Sequence, residues 1–283
     1  MKIPALAGLA CLAAFLTACV VAPYPSEPVT PADSDPGTYQ TADQASEPPP
    51  ALPDYDQPPC PEEGWVWTPG VWRFGPSGYF WVPGTWVAPP RPGVYWTPGY
   101  WGVSGAVYVF HPGYWGPHVG YYGGINYGGG YTGNGFVGGR WNGPRYEYNT
   151  AVTNVNVVNV HNTYNQTVVN NVAVRNPTVT RTSFVGAPGA RVVAPTRTET
   201  AFAREPRTLP TPWQMQHHDT ALASPPQHAA QNQGRPPVAA TARPAAFTAR
   251  EVTPAKPSGP LYRPQGGPAG PKERPDNSGK RPQ

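Results

Sequence analysis

The chain has 283 residues, of which 42 are Pro and 32 Gly, about a quarter of the whole, against 13% charged residues and a formal net charge of +4. That share marks loop-rich or disordered chains and excludes a mainly helical protein. Beyond position 20 the only Leu and Ile are Leu52, Leu209, Leu222, Leu261 and Ile125 while aromatics reach 12%, so an aliphatic-core enzyme domain is excluded as well.

Residues 1–18 combine Lys2 with the apolar run Ile3 to Leu16, too short for a membrane span and suited to a secretory signal peptide. The run ends in Leu16-Thr17-Ala18-Cys19, which resembles the bacterial lipobox, where small residues precede a Cys that is lipidated and becomes the new N-terminus. Cys19 is therefore the expected lipidation site, with Leu16, Thr17 and Ala18 as the lipobox. The alternative is an ordinary signal peptide cleaved after Ala18. Acyl chains contribute about 0.8 kcal/mol per buried CH2, so several of them anchor the chain durably. Val20, rather than Asp, at the second mature position resembles the outer-membrane sorting pattern, and the expected address is the bacterial outer membrane. With Cys11 in the signal and Cys19 lipidated, Cys60 has no intramolecular partner and is expected to be an exposed thiol, an intermolecular disulfide being the alternative.

Residues 19–63 carry nine acids and neither Lys nor Arg, with frequent Pro, and read as an extended, self-repelling acidic tether. Residues 64–150 hold the repeats. In register these are Trp67-Thr68-Pro69-Gly70-Val71-Trp72, Trp81-Val82-Pro83-Gly84-Thr85-Trp86, Trp96-Thr97-Pro98-Gly99-Tyr100-Trp101 and Phe110-His111-Pro112-Gly113-Tyr114-Trp115. A degenerate fifth copy, Phe136-Val137-Gly138-Gly139-Arg140-Trp141, follows a Gly/Tyr-rich insertion. Pro at i+1 and Gly at i+2 favour a type II turn, because Pro holds φ near −65° and Gly accepts the positive φ after it. Each copy is thus expected to be a reversal that sets its own first aromatic opposite its own last Trp. Five reversals in series predict a mainly β fold: a small Trp/Tyr/Gly-rich antiparallel repeat module, a meander, flanked by disordered Pro-rich segments.

Residues 151–185 alternate Asn and Val and predict a β segment whose phase slips at Val157-Val158. Residues 186–283 turn to Pro, Ala, Thr and Gln with thirteen basic and six acidic residues, and read as a disordered basic tail.

The repeats, the Val109-to-Tyr127 stretch and the Val152-to-Val157 run resemble the WXXGXW (YXWGXW) repeat lipoproteins of proteobacteria, including the BcpO-related group. The resemblance covers roughly residues 64–185. It implies location and architecture more than chemistry, together with an accessory role beside two-partner secretion systems that display contact-dependent inhibition toxins.

Catalytic chemistry is not expected. Residues 64–185 contain one carboxylate, Glu147, no Lys, and three His (His111, His118, His161), without metal-ligand spacing, and neither metal nor cofactor is implied. A GxGxxG match at Gly128-Gly129-Gly130-Tyr131-Thr132-Gly133 lacks the following helix and acidic residue of a dinucleotide site. Two readings of different classes follow. One is a non-enzymatic, lipid-anchored envelope protein with a structural or accessory role. The other is an envelope glycan-binding module, for peptidoglycan or lipopolysaccharide, that stacks sugars on exposed Trp and Tyr faces. Partners are expected to be the membrane through the anchor, and an envelope protein or anionic glycan. Nucleic acid is not expected for an exported chain.

Overall fold

The computed structural model describes residues 43–156, 160–167, 181–187, 193–248 and 252–263. It is mainly β and built from several small, mostly antiparallel sheets, as the composition predicts.

Strand β1 (Gln44–Ala45) precedes the first four repeat strands, β2 (Val66–Thr68), β3 (Val71–Gly75), β4 (Gly78–Val82) and β5 (Gly84–Val87). The order of pairing is nested rather than a meander. β3 pairs with β4, bringing Trp72 opposite Trp81, while β2 pairs with β5, bringing Trp67 opposite Trp86. A second set repeats the plan: β6 (Tyr95–Thr97), β7 (Tyr100–Ser104), β8 (Val107–His111) and β9 (Tyr114–Gly116). There Trp101 opposes Phe110 and Trp96 opposes Trp115. Each set is one long hairpin whose two arms are both interrupted at the level of the Pro-Gly pairs. The expectation that each copy closes on itself is therefore corrected, because a copy pairs with its neighbour and its first aromatic meets the neighbour's last.

The Pro-Gly pairs are not the type II turns expected either. Gly70, Gly84, Gly99 and Gly113 are all absent from the positive-φ glycines. Their requirement is close approach. A Cβ on Gly70 would meet Trp81 Cζ2 at 2.2 Å and one on Gly84 would meet Trp67 Cζ2 at 2.6 Å. Likewise Gly99 faces Phe110 Cζ and Gly113 faces Trp96 Cζ2, each at 2.5 Å. The first aromatic of one copy thus rests on the glycine of its partner copy, and reciprocally. Reversal is left to the hairpin tips, Gly75↔Gly78 with Gly78 at φ 87° and Ser104↔Val107 with Gly105 at φ 61°.

The breaks divide each hairpin between two cores. Trp67, Trp86, Trp96 and Trp115 enter one, with Tyr122, Tyr131, Tyr146 and Tyr148. Trp72, Trp81, Trp101 and Phe110 enter the other, with Tyr79, Leu52 and Ile125. The cross-strand rings meet edge-on or tilted at 5.1–5.4 Å between centroids, the geometry that aromatic quadrupoles favour, worth about 0.5–1.5 kcal/mol per pair beyond area.

Strands β10 (Asn126–Gly128) and β11 (Tyr131–Thr132) form the insertion, and β12 (Gly139–Asn142) pairs with β13 (Arg145–Asn149). The fifth copy therefore folds against Arg145–Asn149 instead of another repeat, with Trp141 opposite Tyr146. Of the long Asn/Val strand, the described part contains only β14 (Thr163–Tyr164), parallel to β13. Before it the chain turns on Asn149, whose carbonyl accepts from Val152 N and Thr153 N. The Val157-Val158 slip lies outside the described residues.

The described parts of both flanks are folded where a free chain was expected. Residues 43–63 are no free tether: β1 pairs with β8, and the acids meet cations. Asp43 holds Arg73 at 2.5 Å, Asp54 holds Arg181, Asp56 holds Lys256 at 2.6 Å and Glu62 holds Arg243 at 2.7 Å. Residues 193–248 and 252–263 are no free tail. They form α1 (Arg197–Phe202), α2 (Pro212–Leu222), α3 (Ala229–Asn232), β15 (Ala240–Thr241) and β16 (Val252–Thr253), and β15 extends the β2/β5 sheet beside β5. Composition misleads here because opposite charges far apart in sequence neutralise each other once folded.

Candidate functional site

Leu16, Thr17, Ala18 and Cys19 lie outside the described residues. The repeat residues form the packed centre. Trp67, Trp72, Trp81, Trp86, Trp96, Trp101, Phe110 and Trp115 are each at most 5% exposed. Their indole faces are covered, so the exposed Trp platform of the glycan-binding expectation is corrected. Phe136 and Trp141 of the fifth copy are half-buried.

A buried indole N–H needs an acceptor, since leaving it unpaired costs about 1–3 kcal/mol. The acceptors come largely from the flanks: Trp72 Nε1 donates to Ala51 O (3.1 Å), Trp86 to Pro58 O (2.8 Å), Trp81 to Ala239 O (2.9 Å) and Trp115 to Gln214 Oε1 (2.8 Å). Within the repeats, Trp101 Nε1 donates to Trp72 O at 2.8 Å and ties the second hairpin to the first. Tyr131 Oη lies 2.9 Å from Trp96 O and 3.3 Å from Trp67 O and does the same in the other core.

Cys60 is buried rather than exposed, at 1%. Its Sγ sits 3.0 Å from Glu62 O and 3.7 Å from Tyr148 Oη, and burial pushes the thiol up to about 11, away from thiolate chemistry. His111 stands at the end of β8 and stacks on Tyr100 at 4.5 Å. Among the described residues no three His, Cys, Asp or Glu cluster as metal ligands, and no helix is long and apolar enough to cross a membrane.

A cleft of about 570 Å³ opens beside the fifth copy. Tyr95 and Phe136 belong to it, their rings 6.3 Å apart. Two further lining rings each carry a cationic or ionisable partner. Arg140 lies 4.4 Å over Tyr164 and donates from Nε to Glu147 at 2.8 Å; His118 stacks on Phe202 at 4.3 Å and 8° and pairs through Nδ1 with Glu205 at 2.9 Å. Glu147 is held below the usual carboxylate range by the Asn142 and Arg140 hydrogen bonds. Behind the cleft, buried Asn149 donates to Val137 O and Gln166 O and accepts from Gln166 N and Ala151 N, which uses its amide fully and fixes the Gln166 backbone.

Sequence reasoning singled out Phe136 and Gly139 of this cleft as repeat letters and set His118 aside. It missed Tyr95, Arg140, Tyr164, Gln166 and Phe202 as site residues. They come from four separate stretches, and only Arg140 falls inside a repeat copy, at an unspecified position, so the sequence signal available for the others was an aromatic excess outside the repeats. Comparison with protein-family models, with curated proteins and with solved structures gave no match.

Proposed function

We propose that the protein is a non-enzymatic lipoprotein, anchored to the bacterial outer membrane through Cys19, with a structural or accessory role in the cell envelope. The observation that carries this reading is the Leu16-Thr17-Ala18-Cys19 sequence directly after an apolar run, ahead of a Pro-rich acidic stretch. Residues 20–42 separate Cys19 along the sequence from Asp43, the first of the described residues. The body supports a scaffolding role over a catalytic one, because five of its carboxylates, at 43, 54, 56, 62 and 147, are engaged in ion pairs that hold segments together. The resemblance of the repeats to accessory lipoproteins of two-partner secretion systems makes a secreted or surface-displayed protein the partner class to examine first.

Metabolic labelling with a palmitate analogue followed by membrane fractionation tests the anchor. The native chain is expected to label and to sediment with outer membranes, and Cys19→Ala to do neither. Label retained by Cys19→Ala would overturn the proposal.

A further inference from the structure

We infer that the cleft beside the fifth repeat copy is a binding site for an uncharged pyranose oligosaccharide of the cell envelope. The sugar chemistry rests on the cleft alone, and only the envelope as its source rests on the proposed location. Its volume, about 570 Å³, falls within the 300–1,000 Å³ of ligand pockets and suits two or three sugar rings. Four aromatic side chains line it, Tyr95, Phe136, Tyr164 and Phe202, and none of the four is fully buried. Aromatic faces carry negative charge density that attracts the polarised C–H face of a pyranose; Arg140 covers one face of Tyr164 and His118 one face of Phe202, so stacking falls to the Tyr95 and Phe136 rings and to the faces of Tyr164 and Phe202 left uncovered.

The polar groups favour a sugar over a charged headgroup. Arg140 is neutralised by Glu147, and His118 is paired with Glu205. The cleft therefore presents no net cationic field for phosphate or carboxylate, which argues against the anionic glycan that the net charge of the chain suggests. What it presents are directional groups. Arg140 spends its Nε on Glu147 and its plane on Tyr164, and its Nη groups make no hydrogen bond among the described residues. The Gln166 side chain is exposed and likewise unbonded among the described residues, on a backbone clamped by Asn149. An amide that both donates and accepts, next to guanidinium donors, matches vicinal hydroxyls that do both. A polyproline segment offers carbonyl acceptors alone and would leave the Gln166 oxygen without a donor.

Isothermal titration of the full-length protein in detergent with three probes tests this: an N-acetylglucosamine trisaccharide, the uncharged sugar of the peptidoglycan strand; a neutral outer-core hexose oligosaccharide of lipopolysaccharide freed of phosphate and Kdo; and a Pro-rich peptide. Saturable binding of either glycan is expected, with at least tenfold loss of affinity in Tyr164→Ala, Gln166→Ala and Phe202→Ala. Gln166→Ala removes only an exposed side chain, so an unchanged near-UV circular dichroism spectrum there separates loss of binding from loss of fold. The two glycan arms identify the source. Absence of heat with both glycans at millimolar concentration, wild-type affinity in Gln166→Ala and Phe202→Ala, or saturation by the Pro-rich peptide alone would each overturn the site. The palmitate experiment is read independently, so a failed anchor and a failed cleft are distinguishable.

Discussion

At Gly70 a methyl group would come within 2.2 Å of Trp81 Cζ2 and 2.8 Å of Gly84 N, distances that real Cβ atoms do not show. Gly78 has open space around it and needs glycine for another reason, its φ of 87°. The two kinds of glycine look alike in the sequence. Overpacking a tight contact costs about 1–3 kcal/mol, so Gly70→Ala is expected to lower stability by at least that much, because both Trp81 and the opposing arm must shift. Chemical denaturation followed by Trp fluorescence measures it; an unchanged midpoint would mean that the arms do not cross this closely.

At the level of elements, α2 shows how a segment read as tail becomes part of the body. Thr211 caps its N-terminus by accepting from Gln214 N, and Pro212 sits in its first turn. Gln214 Oε1 in return accepts both Thr211 N and Trp115 Nε1. One turn on, buried His217 donates from Nε2 to Pro83 O at 2.9 Å and accepts at Nδ1 from Ala245 N at 2.8 Å. A ring with one donor and one acceptor is neutral, and burial pulls its pKa down to about 4, the Pro83 bond opposing. The unfolded chain, with a His pKa of about 6.5, binds this proton more readily than the folded one. Stability is therefore complete above about pH 6.5 and falls as pH drops towards about 4, by on the order of 3 kcal/mol. His218 is shifted downwards too, first by burial, and acts in the same direction. Denaturation midpoints at pH 7 and pH 4 are expected to differ by much less in His217→Gln, and an equal pH dependence in that variant would assign the effect elsewhere.

Across the whole molecule, the acidic segment and the basic tail close over the repeats. Lys256 N donates to Asp54 O at 2.6 Å, Tyr262 Oη to Glu47 at 3.0 Å, and Gly84 N to Ala239 O at 3.1 Å. Because Ala51, Pro58, Gln214 and Ala239 supply the acceptors of four buried indoles, the repeats are expected not to fold alone. A chain trimmed to residues 64–185 should lose the cooperative thermal transition in near-UV circular dichroism that a chain spanning 43–263 retains. A matching transition in the trimmed chain would make the flanks passive cover.

The strand-rich class, the positions of the chain breaks and the aromatic spacing were legible in the residues alone, because propensity, Pro-Gly chemistry and period act over a few neighbours. Trp67, Trp72, Trp81 and Trp86 were recognisable as one repeated pattern on that basis. Their partners were not. Whether Trp67 meets Trp72 or Trp86 depends on which arm crosses which, and that is settled by packing an indole on a distant glycine. The same holds for the paired acids, the buried thiol of Cys60, and a cleft gathered from six stretches. Each depends on contacts between residues far apart in the chain, and those exist only once the two cores have formed.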